Sequence, residues 1–267
     1  MYKLIFAALS LLFITSCDRI EYSPNQKFDK NSPTDLNAKN LEKLQAANPS
    51  DDTLRFILTG DTQRAYDQAK ALVNVANSYP KLDFVLLNGD ISDFGLLREM
   101  KLVSQIYDGL KAPYITIIGN HDLIANGMAV YQRMFGNLNF SFTYKDTKFI
   151  CHDTNSREYH FNKTVPNLNW IAQELQTDAS VKGIIGVSHI PPHSVDFDQD
   201  LRLQYEKLIV ENPKFILSLH SHENNYRVTY PLDGNTPVVV SNAVQNREFL
   251  YIEVLNGSLL KYESVTY

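Results

Sequence analysis

Val85-Leu86-Leu87-Asn88-Gly89-Asp90-Ile91-Ser92-Asp93 is an apolar run that breaks abruptly into amide, glycine and carboxylate. Three consecutive aliphatic residues read as a strand buried on both faces. The glycine allows a sharp turn, so the carboxylate arrives just beyond the strand end. The same switch recurs on either side. Upstream, Phe56-Ile57-Leu58-Thr59-Gly60 runs into Asp61-Thr62-Gln63. Downstream, Thr116-Ile117-Ile118 runs into Gly119-Asn120-His121-Asp122. Further on, Gly186-Val187-Ser188 meets His189, and Leu217-Ser218-Leu219 meets His220-Ser221-His222.

Between these switches the spacing is helical. Ala65, Ala69, Leu72, Val73 and Ala76 share one side of a helix expected over 64–79; Met100, Val103 and Tyr107 do so over 96–110. With strands expected over 54–58, 82–87 and 113–118, the opening is βαβαβ, which favours a sheet covered by helices. Further strands are expected over 140–144, 149–152, 183–187 and 215–219, and helices over 167–177 and 201–210. The last forty residues turn strand-rich, at 226–230, 237–240, 249–254 and 259–264, with Asn256-Gly257 as a hairpin turn.

Asp61, Asp90 and Asn120 are spaced by about one βαβ unit of roughly 30 residues. Equivalent strand ends converge on one sheet edge, where open α/β sheets bind ligands. Five segments thus bring two Asp, one Asn, one Gln and four His together. Burying that set without counter-charge is costly, so metal ions are expected. Carboxylate, amide and imidazole donors suit Mn, Fe or Zn.

The chain has 267 residues, 44% hydrophobic and 21% charged, which suits one large globular domain. The net charge of -5 argues against a nucleic-acid surface, while metal ions can attract a small phosphorylated substrate locally. Residues 1–17, MYKLIFAALSLLFITSC, carry one charge, Lys3, and an apolar run too short to span a bilayer. The ending Ile14-Thr15-Ser16-Cys17 resembles a bacterial lipobox, which implies export and lipid attachment at Cys17 to the cell envelope, at its periplasmic face or the cell surface. An unmodified tryptic peptide running through Cys17 would contradict this. Residues 18–52 are polar and read as a tether, with one short helix around Leu36, Leu41 and Leu44. Residues 53–267 form the main domain.

Taken in order, the blocks resemble the calcineurin-like metallophosphoesterases, whose pattern is D-x-H, G-D-x-x-[D/Y], G-N-H-[D/E], a single His, and G-H-x-H. The resemblance covers most of residues 54–222. It implies an α/β fold, a four-layer αββα sandwich of two mixed β-sheets flanked by helices. It also implies two divalent or trivalent metal ions bridged by Asp90 and by a hydroxide nucleophile. Asp61, Gln63 and His222 complete the first site, and Asn120, His189 and His220 the second. His121 resembles the family's proton donor to the leaving group, with Asp93 holding its other ring nitrogen.

Two positions depart from the pattern, and a third, Asp93, is diagnostic within it. Gln63 replaces a histidine, which favours Mn or Fe over Zn and weakens the first site. Leu219 replaces the glycine of the last block. Asp93 stands where purple acid phosphatases carry a tyrosine, so no purple colour is expected.

Other polar residues have plainer readings. His152 and His160 match no block and read as satisfied core or surface. His193, after a double-proline turn, and Arg64 are candidates to touch substrate, as are Arg227 and Arg247. Asp153 and Asn155 read as rim or turn, and Cys151 as a buried thiol. The expected activity is phosphoric ester hydrolysis, monoester or diester. The rivals are a catalytically weak binding lipoprotein of the same fold, motivated by Gln63, and a nuclease, against which the acidic balance weighs.

Overall fold

The computed structural model describes residues 27–49 and 51–267. Two mixed sheets face each other. β1 (Leu54–Thr59), β2 (Phe84–Asn88) and β3 (Tyr114–Ile117) are parallel. β10 (Glu248–Leu255) and β11 (Ser258–Thr266) complete this sheet in the order β11-β10-β1-β2-β3. The second sheet runs β4-β5-β6-β7-β9-β8. Its strands are β4 (Phe140–Tyr144), β5 (Thr147–Cys151), β6 (Gly183–Val187), β7 (Phe215–His220), β8 (Arg227–Thr229) and β9 (Val238–Val240). β5, β6, β7 and β9 are parallel to one another.

Strand alternation builds the layers. Phe56, Leu58, Phe84 and Leu86 point inward to meet Phe149, Ile185, Val187 and Leu219 of the facing sheet. Ile57, Val85 and Leu87 point outward, under α2 (Tyr66–Ala76), α3 (Leu97–Tyr107) and α4 (Gly127–Met134). On the far side, Ile150, Ile184 and Phe215 pack under α5 (Leu168–Glu174) and α6 (Gln199–Glu211). The result is the expected αββα sandwich. Because β2 and β6 are covered on both faces, they read as near-continuous apolar runs, as does β1 from Phe56 to Leu58. The hairpin turn is also as expected: Asn256 (φ 51°) and Gly257 (φ 70°) both take left-handed conformations.

The short helix expected around Leu36, Leu41 and Leu44 is present. α1 (Leu36–Ala46) docks on the edge strand β3. Asn37 Nδ2 donates to the Thr116 carbonyl (2.9 Å), and its Oδ1 accepts from the Thr116 N–H (2.8 Å). This side-chain amide thus occupies an edge that would otherwise be open. Leu44 enters the core between the sheets. Among the described residues, no helix is long and apolar enough to cross a membrane. Cys17 and the leader lie outside them.

Candidate metal centre

The loops leaving β1, β2, β3, β6 and β7 meet at one edge of the sandwich. Backbone bonds lock them together. Asp61 N–H donates to Gly89 O and Gln63 N–H to Asp90 O, both at 3.0 Å. His121 N–H donates to Asp90 Oδ1 (2.9 Å), and His222 N–H to Asp61 Oδ2 (3.1 Å). Asp61, Gln63, Asp90 and His222 all take positive φ, at 54°, 40°, 52° and 74°. Such conformations cost about 1–3 kcal/mol each and persist where the surroundings over-determine them, as at ligand sites.

Asp90, His189 and His222 each offer a ligand atom, and these atoms lie within 4.8 Å of one another. The protonation logic makes this a place for a cation. His189 is fully buried, and its Nδ1 lies 2.8 Å from the Asn88 carbonyl. A carbonyl only accepts, so Nδ1 carries the proton and Nε2 is left with a lone pair. Among the described residues, Nε2 has no hydrogen-bond partner, and it faces Asp90 Oδ1 at 3.3 Å and Asp61 Oδ1 at 4.0 Å. Three acceptors facing one another in a dry site require a positive charge between them. Without a metal, a proton must supply it. Burial alone would depress His189, but the Asp90 and Asp61 carboxylates outweigh it and hold the ring up, to about 10.

His222 repeats the pattern. Its Nε2 lies 2.9 Å from Asp196 Oδ2 and its Nδ1 3.1 Å from Asn120 Oδ1. Burial and the neighbouring His189 hold its pKa below the ordinary value. A neutral imidazole has one N–H for these two oxygens, so one nitrogen meets an oxygen with no proton between them. The residues present therefore fit a metal ion.

The family model for calcineurin-like phosphoesterases matches residues 54–225. The chain belongs to that family.

Several known proteins are similar to the chain. A probable cyclic nucleotide phosphodiesterase of Xenorhabdus bovienii (strain SS-2004) is 26% identical over 168 residues, covering 62% of this chain and 53% of its own. The chain thus spans about half the length of that relative. A dimetal phosphatase from Danio rerio superposes with a TM-score of 0.64 at 11% identity, covering 80% of this chain and 99% of that one. A purple acid phosphatase from yellow lupin gives 0.61 at 16%, covering 80% and 51%. At these identities the superpositions establish the fold. Fold and cluster together support a metal-dependent hydrolase.

The structure brings Asp61, Asp90, Asn120, His121, His189 and His222 together. His220 is turned away: its Nδ1 lies 3.2 Å from Ser188 Oγ and its Nε2 2.8 Å from Ser218 Oγ. Gln63 presents its amide nitrogen, which donates to Asp90 Oδ2 at 3.3 Å, rather than its oxygen. His121 Nδ1 bonds the backbone carbonyl of Asp93 (2.9 Å), while the Asp93 carboxylate sits 4.0 Å away and pairs with Arg64 Nε at 3.0 Å. Burial opposes charging of His121, but the Asp93 carbonyl and the Asp90 carboxylate outweigh it and raise its pKa. His193 Nε2 contacts Glu223 Oε1 at 3.0 Å. His152 is satisfied core, bonded to Ile150 O and Tyr205 OH, and His160 lies on the surface.

Three contributors were invisible as such in the sequence. Asp122 is fully buried and accepts from Ile91 N, Ser92 N, Ser92 Oγ and Gly119 N. Asn88 Nδ2 donates to Ser188 O (3.0 Å) and Ser221 Oγ (3.1 Å), tying the two sheets at the site. Asp196 contacts His222. The glycines have definite reasons: a Cβ on Gly89 would strike the His189 ring, and one on Gly119 would strike Asp90 N.

The buried protons give a testable pH dependence. Burial pushes Asp61 up, to about 7, and His189 stands at about 10. Both folded values exceed the ordinary ones, so protonation stabilises the metal-free fold at low pH. That contribution fades as pH rises through those values. A metal must displace the same protons. The rise in Tm on adding saturating Mn2+ is therefore expected to be several degrees larger at about pH 8 than at about pH 6. Scanning fluorimetry checks this; a gain that shrinks with pH would place binding elsewhere.

Proposed function

We propose that this phosphoesterase hydrolyses a small phosphomonoester or phosphodiester at a two-metal centre. The observation that carries the reading is the buried, unpartnered Nε2 of His189 facing Asp90 and Asp61. The contact of His222 Nδ1 with Asn120 Oδ1 sets a donor of each expected site side by side, as two ions sharing Asp90 would need. Asp61, Asp90 and His222 would hold one ion and Asp90, Asn120 and His189 the other. Gln63 and His220 would join by turning their side chains. Such ions supply an activated water and neutralise phosphoryl charge when bound. Mn or Fe is favoured over Zn, because Gln63 offers an amide oxygen where the family has an imidazole.

The protein's own groups complete the chemistry. The Asp93 carbonyl fixes His121 Nδ1 as the donor on that side. His121 is partly exposed, so its Nε2 is free to protonate a departing alkoxide. Arg64 is held by Asp93 through Nε alone and keeps guanidinium N–H groups for phosphate oxygens. The likeness to a probable cyclic nucleotide phosphodiesterase supports phosphoester chemistry. Export and lipid attachment through Cys17 belong to this proposal and rest on residues 1–17 alone.

The test is turnover of nitrophenyl phosphate and bis-nitrophenyl phosphate by metal-reconstituted protein. Failure with Mn, Fe and Zn alike would favour a binding lipoprotein. His121→Ala should lower kcat by about 10²–10⁴ on an alkyl ester, whose leaving group needs a proton. On a nitrophenyl ester the loss should be far smaller. Equal losses on both would remove His121 as the proton donor.

A further inference from the structure

We infer that Asp196 is a positioning residue for the metal centre, orienting His222 from behind, and that Arg157 fixes Asp196 in turn. The inference rests on the metal-binding reading above. His222 Nε2 lies 2.9 Å from Asp196 Oδ2, and the Arg157 guanidinium contacts the other oxygen, Oδ1. The three residues come from the loops that follow β7, β6 and β5, which are neighbours in the second sheet.

The contact has the form of an outer-shell carboxylate. A histidine that binds metal through one nitrogen carries its proton on the other, and an acceptor there fixes the tautomer and the ring plane. With Nε2–H donated to Asp196, the Nδ1 lone pair of His222 is directed towards Asn120 and the cluster. Asp196 is built to hold this position. Its N–H donates to Ser194 Oγ (3.2 Å), and Phe197 beside it is fully buried. Asp198 then caps α6 by accepting from Asp200 N. The side chains of Asp196 and His222 are 15% and 17% exposed, whereas that of Arg157 is 57% exposed. The pair is thus shielded and the arginine is a surface clamp.

Mn2+ titration calorimetry on the full-length metal-free protein tests this. Asp196→Asn should weaken binding by about 10–100-fold, with the metal-free Tm near that of the parent. Arg157→Ala should weaken it a few-fold and add nothing in the Asp196→Asn background. His222→Ala should make Asp196→Asn silent, because Asp196 acts only through that ring. Should Asp196→Asn fail to fold, the exposed Arg157→Ala carries the test. The inference is overturned if Asp196→Asn, or Arg157→Ala in its stead, binds within about twofold of the parent. It is also overturned if Asp196→Asn costs further affinity without His222, the mark of a direct ligand. No Mn2+ binding by the parent protein would instead defeat the metal reading itself.

Discussion

Asp90→Asn is expected to lower kcat/KM by at least roughly 10³-fold while leaving the metal-free fold largely intact. Asp90 is where the site converges. Its Oδ1 accepts from His121 N–H and faces His189 Nε2, and its Oδ2 accepts from Gln63. In the two-metal proposal it is the shared ligand, so losing its charge weakens both ions at once. An asparagine oxygen can still accept from His121 N–H, so the loop between β2 and α3 keeps its anchor. Without the Asp90 charge, burial regains its hold on His189 and the ring sheds its proton more readily. Kinetics with added Mn2+ and a thermal melt without it separate these effects. Retained activity would remove Asp90 from the chemistry, whereas a collapsed melt would make it a folding residue.

Asp122→Ala should do the reverse, costing stability first. Its carboxylate accepts from Ile91 N (3.3 Å), Ser92 N (2.8 Å), Ser92 Oγ (2.8 Å) and Gly119 N (3.0 Å). Alanine leaves four buried donors without an acceptor. Each orphan costs about 1–3 kcal/mol before relaxation and water entry, so a net loss of about 3–5 kcal/mol is expected. For a domain of this size that corresponds to roughly 10 °C in Tm. Urea unfolding should show a lower midpoint with an unchanged slope, since the surface exposed is the same. Activity should also fall, because the loops bearing Asp90 and Asn120 are fixed to each other through Asp122. A change of under about 1 kcal/mol would show that water replaces the carboxylate.

These two carboxylates also show where the sequence was readable. Asp90 stands at an abrupt end of an apolar strand, and strand ends of parallel units must converge, so its place followed from topology. The doubly covered strands were legible because burial on both faces removes alternation. Asp122 sat inside a quoted block, yet its role is a set of bonds to two loops, which no spacing encodes. Asp196 is harder still, being defined by a contact between loops from adjacent strands. α4 was missed because it is short, begins at a glycine and buries only Gly127, Val130, Tyr131 and Met134. α1 was legible in the spacing of Leu36, Leu41 and Leu44, whereas its docking on β3 through the Asn37 side chain was not. His220 carries the motif's residue type, but serines at 188 and 218 offer its ring competing partners. A residue's identity can be read from a motif; its rotamer depends on its neighbours.

The most direct measurement is elemental analysis of the purified full-length chain after reconstitution with Mn or Fe and removal of loosely bound ions. About two metal ions per chain are expected, reduced in Asp90→Asn. A chain that retains no transition metal, or whose metal content is unaffected by loss of Asp90, contradicts it.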